Sequence, residues 1–267
     1  MIFAARRFAV AGFDVSLYGF ELARAECGDI MAENASAALD GADFAVLPPV
    51  VSRDGENVYA PLAREKIPLR SLDFGGASVF AGAFCPEIKA DIVNYAESEA
   101  FAVRNAVPTA EGALKIAMEE TRESICGMRA CVLGFGRIGA VLAKDLLALG
   151  ASVCVFARRS EARALAEAFG ASARGFDALD AEIGSYDCIF NTVPHRIVGK
   201  AALSRIKAGA PFIELASAPG GADESLARSL GVKYVPAGGL PGKIMPKSAG
   251  KIIYETIQEM MEEEEKI

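Results

Sequence analysis

The chain has 267 residues, is 52% hydrophobic and 24% charged, and carries a net charge of −7. That is enough for one large or two modest globular domains, and the acidic balance, with no basic stripe interleaved with aromatics, argues against a nucleic-acid partner. No apolar run is long enough to span a membrane, and the opening MIFAARRFAVAG lacks the longer apolar block and cleavage site of a secretory leader. Six cysteines (Cys27, Cys85, Cys126, Cys131, Cys154 and Cys188) form no C-x-x-C pair, and the last three fall in apolar, strand-like runs. This usage predicts a reduced, cytoplasmic protein with neither disulfides nor a metal site.

FAARRFAVA (3–11) reads as a helix, and FDVSLYGF (13–20), ADFAVLPP (42–49) and ASVFAGAF (77–84) read as strands. PEIKADIVNYAES (86–98) reads as a helix opened by Pro86, whose missing N–H costs nothing at a helix start. Residues 1–105 are therefore expected to form a small flavodoxin-like α/β domain. Such a domain normally opens on a strand, which residues 1–2 cannot supply, so either the natural chain starts further upstream, the favoured expectation, or the domain is built without that strand. PTAEGALKIAMEETRESI (108–125) reads as a long helix joining this domain to the next.

From residue 128 the alternation is regular. RACVL (129–133) is a strand, Arg137–Leu149 a helix ended by Gly150, SVCVF (152–156) a strand, and SEARALAEAF (160–169) a helix. YDCIFNT (186–192), PFIELA (211–216) and KYVPA (233–237) are further strands, with helices near 199–207 and at ESLARSL (224–230). Strands alternating with helices predict a doubly wound parallel sheet, a Rossmann-like domain over 106–245. A last helix, about 246–264, is expected to return to the first domain, so that 246–267 belong with 1–105. The acidic end EEEEKI (262–267) reads as a solvated helix end. The fold class is thus α/β, a Rossmann domain with a smaller N-terminal α/β domain.

Gly134-Phe135-Gly136-Arg137-Ile138-Gly139 is G-x-G-x-x-G between a strand and a helix. In that context the first glycine permits a tight turn, the second lets backbone approach a pyrophosphate, and the third lets helix and strand pack closely. The helix start then faces the anion with free N–H groups. An acid at the end of the second strand would bind the ribose 2′-hydroxyl of NAD, but Ala157-Arg158-Arg159-Ser160 offers none. Guanidinium groups bind a 2′-phosphate with paired charge-assisted bonds, and Ser160 can donate another and cap the next helix. The cofactor expected is NADP.

Ligands on open parallel sheets sit beyond the carboxyl ends of the strands. Asn191-Thr192-Val193-Pro194 ends one strand and is a second cofactor-contact candidate. His195, the one histidine, is either a catalytic base or a residue at the surface or cofactor edge. The 214–221 loop, with Ser217, and the Gly238–Lys247 segment end two more strands; Lys243 and Lys247 there suit an anionic substrate. Arg104 is a carboxylate candidate. Thr109 and Glu111 are read at the start of the joining helix, either receiving a carboxylate or capping, with Glu111 also a candidate base.

NAVPTAEGAL (105–114), VLGFGRIGAVLA (132–143), VFARRS (155–160), CIFNTVP (188–194), ELASAPGGAD (214–223) and GGLPGKIMPKSAGKI (238–252) together resemble the dipicolinate synthase A-subunit family of spore-forming bacteria. The resemblance spans about 10–260 and is strongest after 105; the family's usual opening strand and glycine-rich turn are missing. It implies an oxidoreductase that oxidises dihydrodipicolinate to dipicolinate for spores, with NADP and a flavoprotein-like partner, in an oligomer. A dicarboxylate substrate matches Arg104, Thr109, Lys243 and Lys247. Two alternatives remain: a 2-hydroxyacid or amino-acid dehydrogenase of the same architecture, and a non-catalytic NADP(H)-binding scaffold.

Overall fold

A computed structural model describes residues 1–264. The chain divides into two compact units: Met1–Arg104 with the last helix from Pro246 onward, and Asn105–Met245. In chain order, the first unit contains helix α1 (Ile2–Val10), the short helices α2 (Arg24–Cys27) and α3 (Ala35–Leu39), and strands β1 (Phe44–Val46), β2 (Ser78–Ala81) and β3 (Ile92–Asn94). Helix α4 (Glu99–Thr121) carries the chain across the division. The second unit holds β4 (Arg129–Leu133), α5 (Arg137–Ala148), β5 (Ser152–Phe156), α6 (Ser160–Ala168), β6 (Ser172–Arg174), α7 (Leu179–Glu182) and β7 (Cys188–Asn191). It continues with α8 (Lys200–Leu203), β8 (Pro211–Glu214), α9 (Glu224–Ser229), β9 (Lys233–Pro236) and α10 (Leu240–Ile244), and α11 (Pro246–Glu264) closes the chain.

The second unit is a six-stranded parallel sheet in the order β6-β5-β4-β7-β8-β9. The order reverses at β4, so the crevice for a ligand opens where the carboxyl ends of β4 and β7 diverge. Both sheet faces are covered. Val132, Val155 and Phe190 pack with Leu142 and Leu146 of α5 on one face, while Leu133, Phe156 and Ile189 pack with Leu179 and Leu203 on the other. Burial on both faces explains why β4 and β5 read as unbroken apolar runs. Cys131, Cys154 and Cys188 lie within these strands, and burial pushes each thiol's pKa up, so they serve as packing residues.

The first unit is a three-stranded parallel sheet, β1-β2-β3. Its core joins Phe8 of α1, Phe80 of β2, Tyr95 and Ile253 of α11, and the Tyr95 hydroxyl donates to the Leu47 carbonyl at 3.0 Å. Helices α1 and α11 approach so closely that a Cβ on Gly250 would fall 2.7 Å from the Ala4 nitrogen.

The parallel-sheet α/β fold is as expected from the alternation. Three local expectations are corrected. FDVSLYGF (13–20) is extended but pairs only through an isolated bridge, Leu17 to Met31, so its alternation is that of a packed loop. PEIKADIVNYAES (86–98) is not a helix; it turns and then forms β3, because the β-branched pair Ile92-Val93 pairs with Val79 and Phe80. The joining helix begins at Glu99 rather than Pro108, and Pro108 lies inside it. Five elements went unread: the short helices α2, α3 and α7, the three-residue strand β6, and α10, which occupies most of the GGLPGKI loop.

Candidate functional site

The loop from β4 into α5 is shaped by its glycines. Gly134 has φ +92°, and a Cβ there would fall 2.5 Å from Thr192 Oγ1 and 2.8 Å from Val193 Cγ2. A Cβ on Gly139 would run into the Gly134 carbonyl oxygen. Gly136 differs: its backbone is extended and an added Cβ would meet nothing within 4 Å. So Gly134 and Gly139 are glycine for internal packing, while Gly136 presents bare backbone to open space. It is also the residue before α5, and no side chain caps that helix. Early N–H groups of a helix have no intrahelical acceptor, and the helix dipole adds positive potential there.

These features fit the pyrophosphate of a dinucleotide, since an anion fills the open edge and accepts from the uncapped turn. Phe135 and Ile138 contribute backbone only: the Phe135 ring is buried against Phe169, centroids 6.0 Å apart, and Ile138 packs on the core. Arg137 is exposed on the first turn.

The loop is pinned to its neighbours on both sides. Gly134 N donates to the Phe156 carbonyl at 2.8 Å, which sets the bend against the end of β5. Thr192 N and Oγ1 both donate to the Leu133 carbonyl, at 2.9 and 2.8 Å, which sets it against the end of β7. Arg158 and Arg159 follow directly on β5 and are exposed. Arg163 donates to the Ala157 and Arg158 carbonyls, at 3.0 and 2.9 Å, and shapes the turn that presents them. Ser160 is the first helical residue of α6 and not its cap, which is Arg159; its hydroxyl reaches Glu161 at 3.5 Å, and this corrects the capping expectation.

Sequence reasoning missed the most buried polar feature of the unit. The Glu214 carboxylate, at the end of β8, accepts from Asn191 Nδ2 (2.6 Å), Ala216 N (3.1 Å), Gly221 N (2.8 Å) and the Tyr234 hydroxyl (3.2 Å). Asn191 also donates to the Val193 carbonyl and accepts from Val193 N, at 2.9 and 3.1 Å. Gly220, at φ +77°, and Gly221 let backbone wrap this pair, since a Cβ on Gly221 would fall 2.5 Å from the Asn191 amide. Burial, then the neighbouring carboxylate, raises the Tyr234 pKa well above the usual phenol range, so its hydroxyl is a constant donor. Asn191 thus acts through this network to hold the Thr192–Pro194 backbone at the cradle's edge. The legible signal was an acid inside an apolar strand, IEL, followed by Gly-Gly.

The other expected residues are placed as follows. Pro194 and His195 are exposed after β7, and His195 makes no hydrogen bond among the described residues. Ser217 is exposed, in a turn where Gly220 N donates to its carbonyl at 3.0 Å and the Ala218–Pro219 peptide is cis. Thr109 is buried in mid-helix with its hydroxyl on the Asn105 carbonyl at 2.7 Å, so no helix start exists there to receive a carboxylate, and Glu111 is exposed along the same helix. Arg104 is already clamped by a carboxylate, donating to Glu259 at 2.8 and 2.6 Å. Lys243 donates to the Gly238 carbonyl at 2.7 Å. Lys247 belongs to the first unit, on the first turn of α11. No cluster of metal-ligating side chains occurs among the described residues.

Sheet order, cradle and helix start define a nicotinamide-dinucleotide-binding oxidoreductase domain, and residues 103–237 match the family described as D-isomer specific 2-hydroxyacid dehydrogenase, NAD binding domain. The dipicolinate synthase A-subunit of Bacillus subtilis (strain 168) is 32% identical over 200 residues, covering 74% of this chain and 67% of that protein. The crystal structure of the dipicolinate synthase A-subunit from Bacillus halodurans superposes with a TM-score of 0.85 at 27% identity, covering 97% of this chain and 93% of that one. The crystal structure of the same protein from Bacillus subtilis gives 0.83 at 27% identity, with 98% and 92% covered. The chain belongs to the dipicolinate synthase A-subunit family.

Proposed function

We propose that this protein is the NADP-dependent component of a dipicolinate synthase, a cytoplasmic enzyme that oxidises dihydrodipicolinate to dipicolinate during sporulation. The observation that carries the cofactor choice is the pair Arg158-Arg159, exposed at the end of β5 where NAD-selective units place an acid. Two guanidinium groups there complement a 2′-phosphate with paired charge-assisted bonds that a neutral 2′-hydroxyl cannot match. The cradle of Gly134, Gly136 and Gly139 with the start of α5 would hold the pyrophosphate, and the Thr192–Pro194 backbone would border the ribose and nicotinamide.

NADP⁺ held in that cradle would supply the hydride acceptor. The dihydropyridine ring gives up that hydride and one proton and becomes aromatic, which drives the reaction. The protein's work is then placement and exclusion of water. The proton leaves to water or to a side chain such as His195 or Glu111. The substrate's carboxylates require cations, for which Lys243 of the second unit is the candidate, with Ser217 as a neutral donor. A flavoprotein-like partner completes the enzyme in this reading.

The test follows dipicolinate by its ultraviolet absorbance as dihydrodipicolinate is mixed with NADP⁺, with and without the flavoprotein-like partner. Product formation that depends on this chain and on NADP⁺ supports the proposal. Equal rates when this chain is left out contradict it.

A further inference from the structure

We propose that α1 and α11 of the first unit form a self-complementary surface that binds a second copy of this chain about a twofold axis, with the two α11 helices antiparallel. Three observations within that unit lead there. Helix α1 buries Ile2, Ala4, Ala5 and Phe8, and its opposite face carries Phe3, Arg6, Arg7 and Val10 at i, i+3, i+4 and i+7. That second face is apolar as well as basic, and Val10 is 91% exposed.

Phe3, Arg6, Arg7 and Val10 line a groove of about 470 Å³ together with Lys247 and Tyr254 of α11, and no acid lines it. Arg6 is engaged at home, donating to the Glu26 carbonyl and lying over the Phe3 ring. Arg7 and Lys247 have no acidic partner among the described residues.

The third observation is the charge order along α11. Its outward stripe runs Lys247, Lys251, Tyr254, Gln258 and Glu262, at i, i+4, i+7, i+11 and i+15, opposite the buried Ile253, Thr256 and Ile257. It is positive at the amino end, where Lys251 is paired at home with Glu255 at 3.4 Å and Lys247 is not, aromatic and amide in the middle, and negative at the carboxyl end. Glu262 and Glu263 are exposed with no ion pair among the described residues. A stripe of this order repels a parallel copy and matches an antiparallel one, which is the arrangement a twofold axis generates. In it the acidic end of each α11 meets the other copy's Arg7 and Lys247, while Tyr254 and Val10 supply the apolar centre. An isologous contact closes on itself, so the product is a dimer and not a filament.

Sedimentation of the full chain across a concentration series tests this. Wild type is expected to be a dimer. Arg7→Glu with Lys247→Glu, and separately Glu262→Lys with Glu263→Lys, should each weaken the dimer at least about tenfold, a loss of about 1.4 kcal/mol. Mixing the two variants should restore it, because one contact then pairs the reversed groove with the reversed helix end and the other pairs the unaltered groove with the unaltered end. Circular dichroism melts confirm that each variant is folded. A monomeric wild type overturns the proposal; so does a dimer that neither variant weakens, or two weakened variants that fail to recombine.

Discussion

Single residues separate fold from function most cleanly in the glycine loop. Gly136 has ordinary extended backbone and open space at its Cβ position, so Gly136→Val should still fold, losing only about 1 kcal/mol as a poorer N-cap of α5. The same change would put methyl groups into the open edge of the loop and should abolish dinucleotide binding in a calorimetric titration. Gly139→Ala should cost both, because its Cβ collides with the Gly134 carbonyl, a backbone atom. Unchanged binding by a folded Gly136→Val protein would show that the loop is only a turn.

At the scale of elements, the ends of β7, β8 and β9 are tied through one carboxylate. Tyr234→Phe removes one of four donors to Glu214 and should cost about 1 kcal/mol in urea unfolding. Glu214→Gln should cost more, about 2 kcal/mol, since its amide turns a donor toward another donor. It should also weaken the dinucleotide site, because Asn191 loses the partner that fixes it beside Val193. Equal costs in the two variants would mean the network is not centred on Glu214. A second tie, between β4 and the start of β7, has a pH signature. Lys207 at 2.6 Å, then the Arg129 N–H at 2.9 Å, holds the Asp187 carboxyl below its ordinary value. A lowered folded-state pKa gives stability that is present above the unfolded value, near ~3.9, and is lost as pH falls through the folded one. Wild type should therefore melt slightly above Asp187→Asn at neutral pH, by a modest margin because the carboxylate is about a third exposed, and the gap should close in acid. A gap that widens in acid would reverse the assignment.

Elements of the second unit were legible because burial on both sheet faces leaves unbroken apolar runs such as SVCVF, whose bounds match β5 residue for residue. β6 was not, since Ser172 and Arg174 flank a single buried alanine. The start of α4 was obscured by Pro108, a helix-start signal in isolation; Ser98 followed by Glu99 was the truer one, and Ser98 Oγ accepts from Phe101 N at 3.4 Å. The glycine turn between β4 and α5 was legible because its residues are consecutive. The Glu214 network was not, because Asn191, Glu214, Gly221 and Tyr234 meet only when strands β7, β8 and β9 lie side by side.

For the whole molecule, a ligand that binds only the folded chain raises its stability by mass action. NADP⁺ should therefore lift the unfolding transition of the second unit more than NAD⁺ does at equal concentration. A larger shift with NAD⁺ would place an unseen ribose-binding acid in the site. The proposed dimer surface lies wholly in the first unit and the cradle wholly in the second, so variants of the dimer surface should leave dinucleotide binding unchanged. The paired guanidinium groups after β5 are proposed to choose the dinucleotide. Isothermal titration of the folded full chain with NADP⁺ and NAD⁺, alongside Arg158→Ala with Arg159→Ala, measures it directly. The account predicts tighter NADP⁺ binding to wild type, and a double variant that loses about 2–4 kcal/mol for NADP⁺ and little for NAD⁺. Equal losses for both dinucleotides, or no uptake of either by the wild-type protein, would contradict it.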